Sequence, residues 1–414
     1  MESTNKASEQ SSFFITLLPL FVLAHFAHHL LTALTVPMLP FIRNDFKLNY
    51  TQSALVNSAF SLSYGVGQLP AGWAADRFGP RILVTIGIFG VAMAGLLVGI
   101  SQTFIILIAS LVLMGLLGGG YHPASAPLIL SSVEPEKRGR ALGFHLIGGS
   151  ASFFLAPLIS AAIAGTWGWR GSYIGLAIPT AIFGILFFVL LGQGKANSHI
   201  QKMTGEQPVE TSKVPGSFRR LTAFLILTVL GGGASFSIMG FIPLYIVDHF
   251  GASERTAASL LSVAWAAGLW ASPLGGYLSD RIGRVRIILT SSIISGVLIY
   301  LLTVVPYGWG LDGLFFMNGL GIGALLFFIG VNSFIRMPVS EAFIMSQAAA
   351  HRRSTVYGVY YFAMQQAGGI FAPIVGVIVD MYGFQSCFTI ASATVIGVTL
   401  ICSVFLLGGR EDHT

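Results

Sequence analysis

The stretch Gly72-Trp73-Ala74-Ala75-Asp76-Arg77-Phe78-Gly79 returns as Gly276-Tyr277-Leu278-Ser279-Asp280-Arg281-Ile282-Gly283. Both glycines, the Asp-Arg pair and the leading aromatic keep their places, every paired position is 204 residues apart, and each copy closes a long apolar segment. Two halves of one architecture are therefore joined head to tail. In membrane proteins built from like-oriented halves, the substrate site lies near the bilayer midplane at the repeat interface, which opens to either side in turn. The repeat points to a transporter.

Composition agrees. Of the 414 residues 54% are hydrophobic and 9% charged, with a mean hydropathy of +0.79, against roughly 25% charged in soluble domains. Fifty glycines suit helices that pack closely through small residues, as membrane bundles do. A crossing needs about 20 apolar residues as helix, and such segments are expected at 13–42, 50–74, 82–101, 104–132, 141–165, 172–193, 221–247, 255–278, 286–305, 312–345, 355–379 and 385–408. The predicted class is an all-α membrane protein of twelve transmembrane helices. Its domains are an N-terminal half at 1–193, a cytoplasmic linker at 194–220, the one long polar stretch, and a C-terminal half at 221–414.

Twelve spans put both termini on one side, and lysine and arginine say which. With the N-terminus inside, inner loops and tails receive seventeen of the 22 cations and outer loops receive four (Arg43, Lys47, Arg170, Arg255), while Arg336 falls in or at the end of span ten. The net charge of +6 is then a topology signal, with the lipid bilayer as partner and no nucleic acid. The first apolar segment lacks a cleavage-site pattern and is expected to be retained. Cys387 and Cys402 both lie in the last span and read as packing residues.

A second correspondence extends the repeat: Pro123 and Gly143 match Pro338 and Gly358 at a common distance of 215 residues, as do the basic turns Arg138-Gly139-Arg140 and Arg352-Arg353. With both loop signatures, the Arg138 to Gly143 turn and the twelve-span layout, the chain resembles the major facilitator superfamily over nearly its whole length. Ala24 to His29 (A-H-F-A-H-H) and Tyr121 to Ser125 (Y-H-P-A-S) locally resemble fosmidomycin-resistance-type exporters. The superfamily resemblance implies alternating access around a cavity lined largely by spans one, four, seven and ten. It also implies that Asp76 and Asp280 latch a cytoplasmic gate, each near a helix N-terminus, where dipole and free N–H groups favour a carboxylate. Gly72, Gly79, Gly276 and Gly283 would shape that gate. Arg77, Arg81, Arg281, Arg138, Arg140, Arg352 and Arg353 would complete its charges or serve membrane orientation alone.

Ionisable groups inside a bilayer are costly and face a cavity or a partner. His25 lies near the middle of span one, and His28 and His29 follow three and four residues later on one helical sector. Histidine titrates near neutral pH, so His25 and His122 are candidate proton carriers, together with Glu341, because span one has no carboxylate. The alternative for the histidines is a neutral ring hydrogen-bonded between helices. Tyr121-His122-Pro123 aligns across the repeat with Arg336-Met337-Pro338. Arg336 can hold a carboxylate or phosphonate bidentately. Otherwise it snorkels to the interface or pairs with Glu341. Tyr121, Tyr245, Tyr361 and Gln365 complete the candidate substrate-binding set.

The chain carries no phosphate-binding G-x-x-x-x-G-K-[ST] loop, no nucleophile elbow and no metal-ligand spacing. The expectation is a non-enzymatic, monomeric secondary transporter in a bacterial or archaeal cytoplasmic membrane, free of cofactors and metals. It would export a small organic, anionic compound or drug against protons. Alternatives are an uptake or exchange carrier for an organic anion and, last, a transport-dead sensor of the same fold.

Overall fold

The computed structural model describes residues 17–131, 133, 138–193, 217–306, 320–347 and 353–407. Linker residues 194–216, Arg352 and both chain ends lie outside these. Gly72, Asp76, Arg138, Arg140 and Arg353 are described as helical backbone only.

In chain order the helices are α1 (Leu18–Thr32), α2 (Leu39–Phe46), α3 (Tyr50–Phe78), α4 (Pro80–Ile100), α5 (Phe104–Leu130), α6 (Arg138–Gln193), α7 (Phe218–Phe250), α8 (Glu254–Ala266), α9 (Ala271–Ile282), α10 (Arg284–Leu301), α11 (Leu320–Ser346) and α12 (Arg353–Leu406). Seven stretches are long and apolar enough to cross a membrane, or eight with the pair α8 and α9, which bends by 48°. Two of them, at 52 and 48 residues, are each about twice the roughly 20 residues of one crossing. Each breaks at a glycine: Gly168 in α6 (φ 69°, ψ 173°) and Gly383 in α12 (φ 76°, ψ 171°). Counting both limbs of each, and adding α1 and α3, gives the twelve-span architecture expected from the sequence.

The breaks obey local chemistry. Pro273 has no N–H to donate to the carbonyl of Leu269, so the helix stops and restarts at Trp270. The first apolar segment ends as helix at Thr32, turns through Pro37 and resumes as α2, where one unbroken span over 13–42 was expected. The two signature loops end in matched glycines, Gly79 (φ 90°, ψ 140°) and Gly283 (φ 98°, ψ 141°). That region of φ strains any residue with a Cβ.

Two compact units emerge, Met1–Thr35 with Leu62–Gln207 and Val36–Ser61 with Pro208–Thr414. In the first, α1 packs most extensively on α6 around Phe21, Tyr121, Ile129 and Phe187. In the second, α10, α11 and α12 enclose Phe224, Ile288, Phe343 and Tyr360. Large apolar side chains elsewhere face outward, with Ile105 80% and Val404 69% exposed. So many exposed large apolar side chains suit lipid as solvent better than water.

Candidate functional site

The interior of the first unit is built around imidazoles. His25, His28 and His29 project from α1, Tyr121 and His122 from α5, and His145 from α6. His28 and Tyr121 are fully buried, His25 and His145 are 3% exposed, and His122 is half-buried. Close approach of the backbones makes this possible. A Cβ at Gly149 would lie 2.6 Å from the His25 ring, and one at Gly148 would lie 2.1 Å from the carbonyl oxygen of Val22. The rings stack in the order His145, His25, Tyr121, His28, with centroids 4.2, 5.6 and 4.4 Å apart. The His122 ring stands edge-on to His25 at 5.2 Å.

Hydrogen bonds assign the ring nitrogens. A carbonyl only accepts, so His25 Nδ1–H donates to His145 O (2.9 Å) and His145 Nδ1–H to Phe21 O (3.1 Å). His28 Nδ1–H donates to Gly87 O (2.8 Å), and its Nε2 accepts from the Tyr64 hydroxyl (3.1 Å). Gly87 sits in a π-helical turn, Ile86–Gly90, whose wider winding alters the carbonyl ladder. Thr32 Oγ1–H donates to His28 O (3.3 Å), so the Thr32 hydroxyl oxygen is left to accept from His29 Nδ1–H (3.0 Å). His28 is therefore satisfied at both nitrogens. His25 Nε2 is buried without a partner, as is the Tyr121 hydroxyl.

In the second unit Arg336 lies on α11 with its Nε buried and without a hydrogen-bond partner. Glu341, one and a half turns further along α11, accepts from the hydroxyl of Tyr361 on α12. Among the described residues no ion pair joins Arg336 to Glu341. Gln365 is half-buried one turn beyond Tyr361. The Tyr245 hydroxyl is spent on the carbonyl of Leu302, so this side chain braces α7 against the end of α10.

Four of the gate candidates have described side-chain surroundings. Arg77 stacks on Trp73 (5.6 Å) and Arg281 on Tyr277 (4.6 Å), the same cation–π pair in both copies of the repeat. Trp73 and Tyr277 are 61% and 52% exposed, as aromatic anchors at a membrane interface are. Arg81 lies over Phe188 and donates to its carbonyl (3.1 Å through Nε). Asp280 is exposed at the last turn of α9.

Sequence reading passed over a polar group on α2, α3, α7 and α12. Arg43 pairs with Asp248, and the Tyr50 hydroxyl donates to the same carboxylate (2.6 Å). Asp380 accepts from the backbone N–H groups of Tyr50 (2.9 Å) and Thr51 (2.8 Å) and from the Thr51 hydroxyl (2.6 Å). His145 was overlooked too, although a histidine inside an apolar span is the same signal that singled out His25.

Comparison with known proteins agrees with this architecture. The family model of the Major Facilitator Superfamily matches residues 21–373 and 224–414. The chain therefore belongs to the major facilitator superfamily, a class of integral membrane transporters for small molecules. It is 26% identical over 351 residues to the multidrug resistance protein MdtG of Citrobacter koseri, covering 83% of this chain and 82% of the relative. To MdtG of Salmonella paratyphi C it is 28% identical over 352 residues, with the same coverage. A POT family transporter solved with 5-aminolevulinic acid superposes with a TM-score of 0.75 at 13% identity, over 94% of this chain and 95% of that one. This last likeness speaks for the fold alone.

Proposed function

We propose that the chain is a proton-driven exporter of small organic compounds, acting by alternating access in a bacterial cytoplasmic membrane, with a preference for molecules bearing a carboxylate or phosphonate. The names of the MdtG relatives support drug efflux. The observation that carries the anion preference is the buried, unpartnered Nε of Arg336. A buried N–H left without an acceptor costs about 1–3 kcal/mol. An anionic substrate supplies the missing acceptor in the bidentate geometry that arginine favours.

Glu341 is the proton carrier in this reading. Its carboxylate, the one carboxylate on α11, sits on the same helix as Arg336 and accepts from the Tyr361 hydroxyl. His25 and His122 were equal candidates by residue type. The open ring nitrogens around them suit a different ligand better.

Two assays in proteoliposomes separate the roles. Arg336→Lys keeps the charge and loses the planar fork, so affinity for carboxylate or phosphonate substrates should fall about tenfold or more, with neutral substrates less affected. Glu341→Gln should abolish accumulation driven by a pH gradient while sparing substrate exchange, which needs no net proton movement. Unchanged anion affinity in Arg336→Lys removes the anion preference, and normal gradient-driven transport in Glu341→Gln removes the coupling role.

A further inference from the structure

The polar cluster of the first unit contains more than stacking requires. Six rings meet, and hydrogen bonds leave particular nitrogens open. His25 is fixed as the Nδ1–H tautomer by the carbonyl of His145 at 2.9 Å, and its Nε2 lone pair is buried with nothing to accept. His29 is fixed likewise by Thr32 Oγ1 at 3.0 Å, which turns its Nε2 into a lone pair as well. His122 stands beside both, with ring centroids 5.2 Å from His25 and 5.3 Å from His29. One ring nitrogen from each of His25, His29 and His122 lies within 4.8 Å of the others.

We propose that His25, His29 and His122 form a binding site for one borderline transition-metal cation of the zinc, cobalt or nickel type. Three features carry this. Neutral imidazole is the ligand these ions prefer. A ligating histidine donates its other N–H to a carbonyl or hydroxyl that fixes its tautomer, and both α1 histidines already do so. Tetrahedral zinc, with Zn–N near 2.1 Å, places donors roughly 3.4 Å apart, so closing from the observed spacing needs only small side-chain rotations. His28 is excluded as a ligand because both of its nitrogens are used.

The site has a definite chemical character. None of α1, α5 and α6 contains a carboxylate, so three neutral donors leave the ion with its full positive charge in a poorly hydrated interior. The fourth coordination position is therefore expected to hold hydroxide or an anionic group. His122 is half-buried where His25 and His29 are buried, which gives the ion an approach. The expectation of no metal, drawn from the lack of sequence-local ligand spacing, is what this proposal replaces.

The test uses the full-length protein in detergent, purified on a tag without histidine and titrated with Co2+ alone and then with Zn2+. Wild type should bind one Co2+ per chain with the visible absorption of a tetrahedral nitrogen site, displaced by Zn2+. His25→Gln and His122→Gln should abolish that signal, and Thr32→Val, which removes the acceptor behind His29, should weaken binding about tenfold or more. His249→Gln, in the second unit, should bind as wild type. Folding of each variant is followed by its melting temperature. Should the variants fail to fold, X-ray absorption on the wild-type protein with one equivalent of Zn2+ decides: about three imidazole nitrogens near 2.1 Å support the site. Sulfur or all-oxygen ligation overturns it, as does folded wild type that binds no Co2+, or His25→Gln and His122→Gln that bind it as wild type does. None of these readouts depends on transport, so the fate of the exporter reading is separate.

Discussion

Gly149 holds open the space that His25 fills. A methyl group there would press on an imidazole clamped by the His145 carbonyl, at 2.6 Å from Cε1, and neither partner can withdraw without losing a buried hydrogen bond. Gly149→Ala should therefore cost about 1–3 kcal/mol, as overpacking does, and lower the melting temperature. Gly143→Ala, where a Cβ meets open space, should leave it unchanged. His28 offers a second residue-level test. His28→Leu fills similar volume but orphans the carbonyl of Gly87 and the hydrogen bond from Tyr64. A buried polar group left unmade costs about 1–3 kcal/mol, so this variant should melt lower than His249→Leu.

Among the elements, α3 shows how a helix start can be secured from afar. Asn49 and Gln52 form a reciprocal capping box, with Oδ1 accepting from Gln52 N at 2.7 Å and Oε1 accepting from Asn49 N at 3.1 Å. The N-x-x-Q spacing was open to reading in one dimension. The next two orphan donors, Tyr50 N and Thr51 N, are taken by Asp380, which lies about 330 residues later in the chain. A carboxylate at that position also complements the helix dipole. Asp380→Ala should lower stability by about 1–2 kcal/mol. Asp380→Asn, which retains an acceptor and loses the charge, should fall between it and wild type in a thermal melt. This is the arrangement of carboxylate and helix start that was expected of Asp76 and Asp280, and among the described residues Asp380 makes it.

For the whole molecule, the repeat is written in backbone as well as in sequence. Gly79 and Gly283 share one unusual φ,ψ pair, Gly168 and Gly383 share another, and Arg77 on Trp73 recurs as Arg281 on Tyr277. If the signature carboxylates govern a gate, Asp76→Asn and Asp280→Asn should slow turnover while leaving ligand-induced stabilisation intact. Loss of stabilisation together with turnover would show a binding defect instead. The number of spans, the head-to-tail repeat and the transporter class could be determined from the sequence by itself. Lipid demands long apolar helices with internally satisfied backbones, and both requirements leave their mark in linear order. Tertiary structure alone decided which in-span polar groups meet. Glu341 met the hydroxyl of Tyr361, and Asp380 found the start of α3. His145, 120 residues from His25, supplied the carbonyl that fixes its tautomer. Those pairings depend on the rotation of each helix about its own axis and on where glycine lets two backbones touch, and neither quantity is carried by hydrophobic length or charge count.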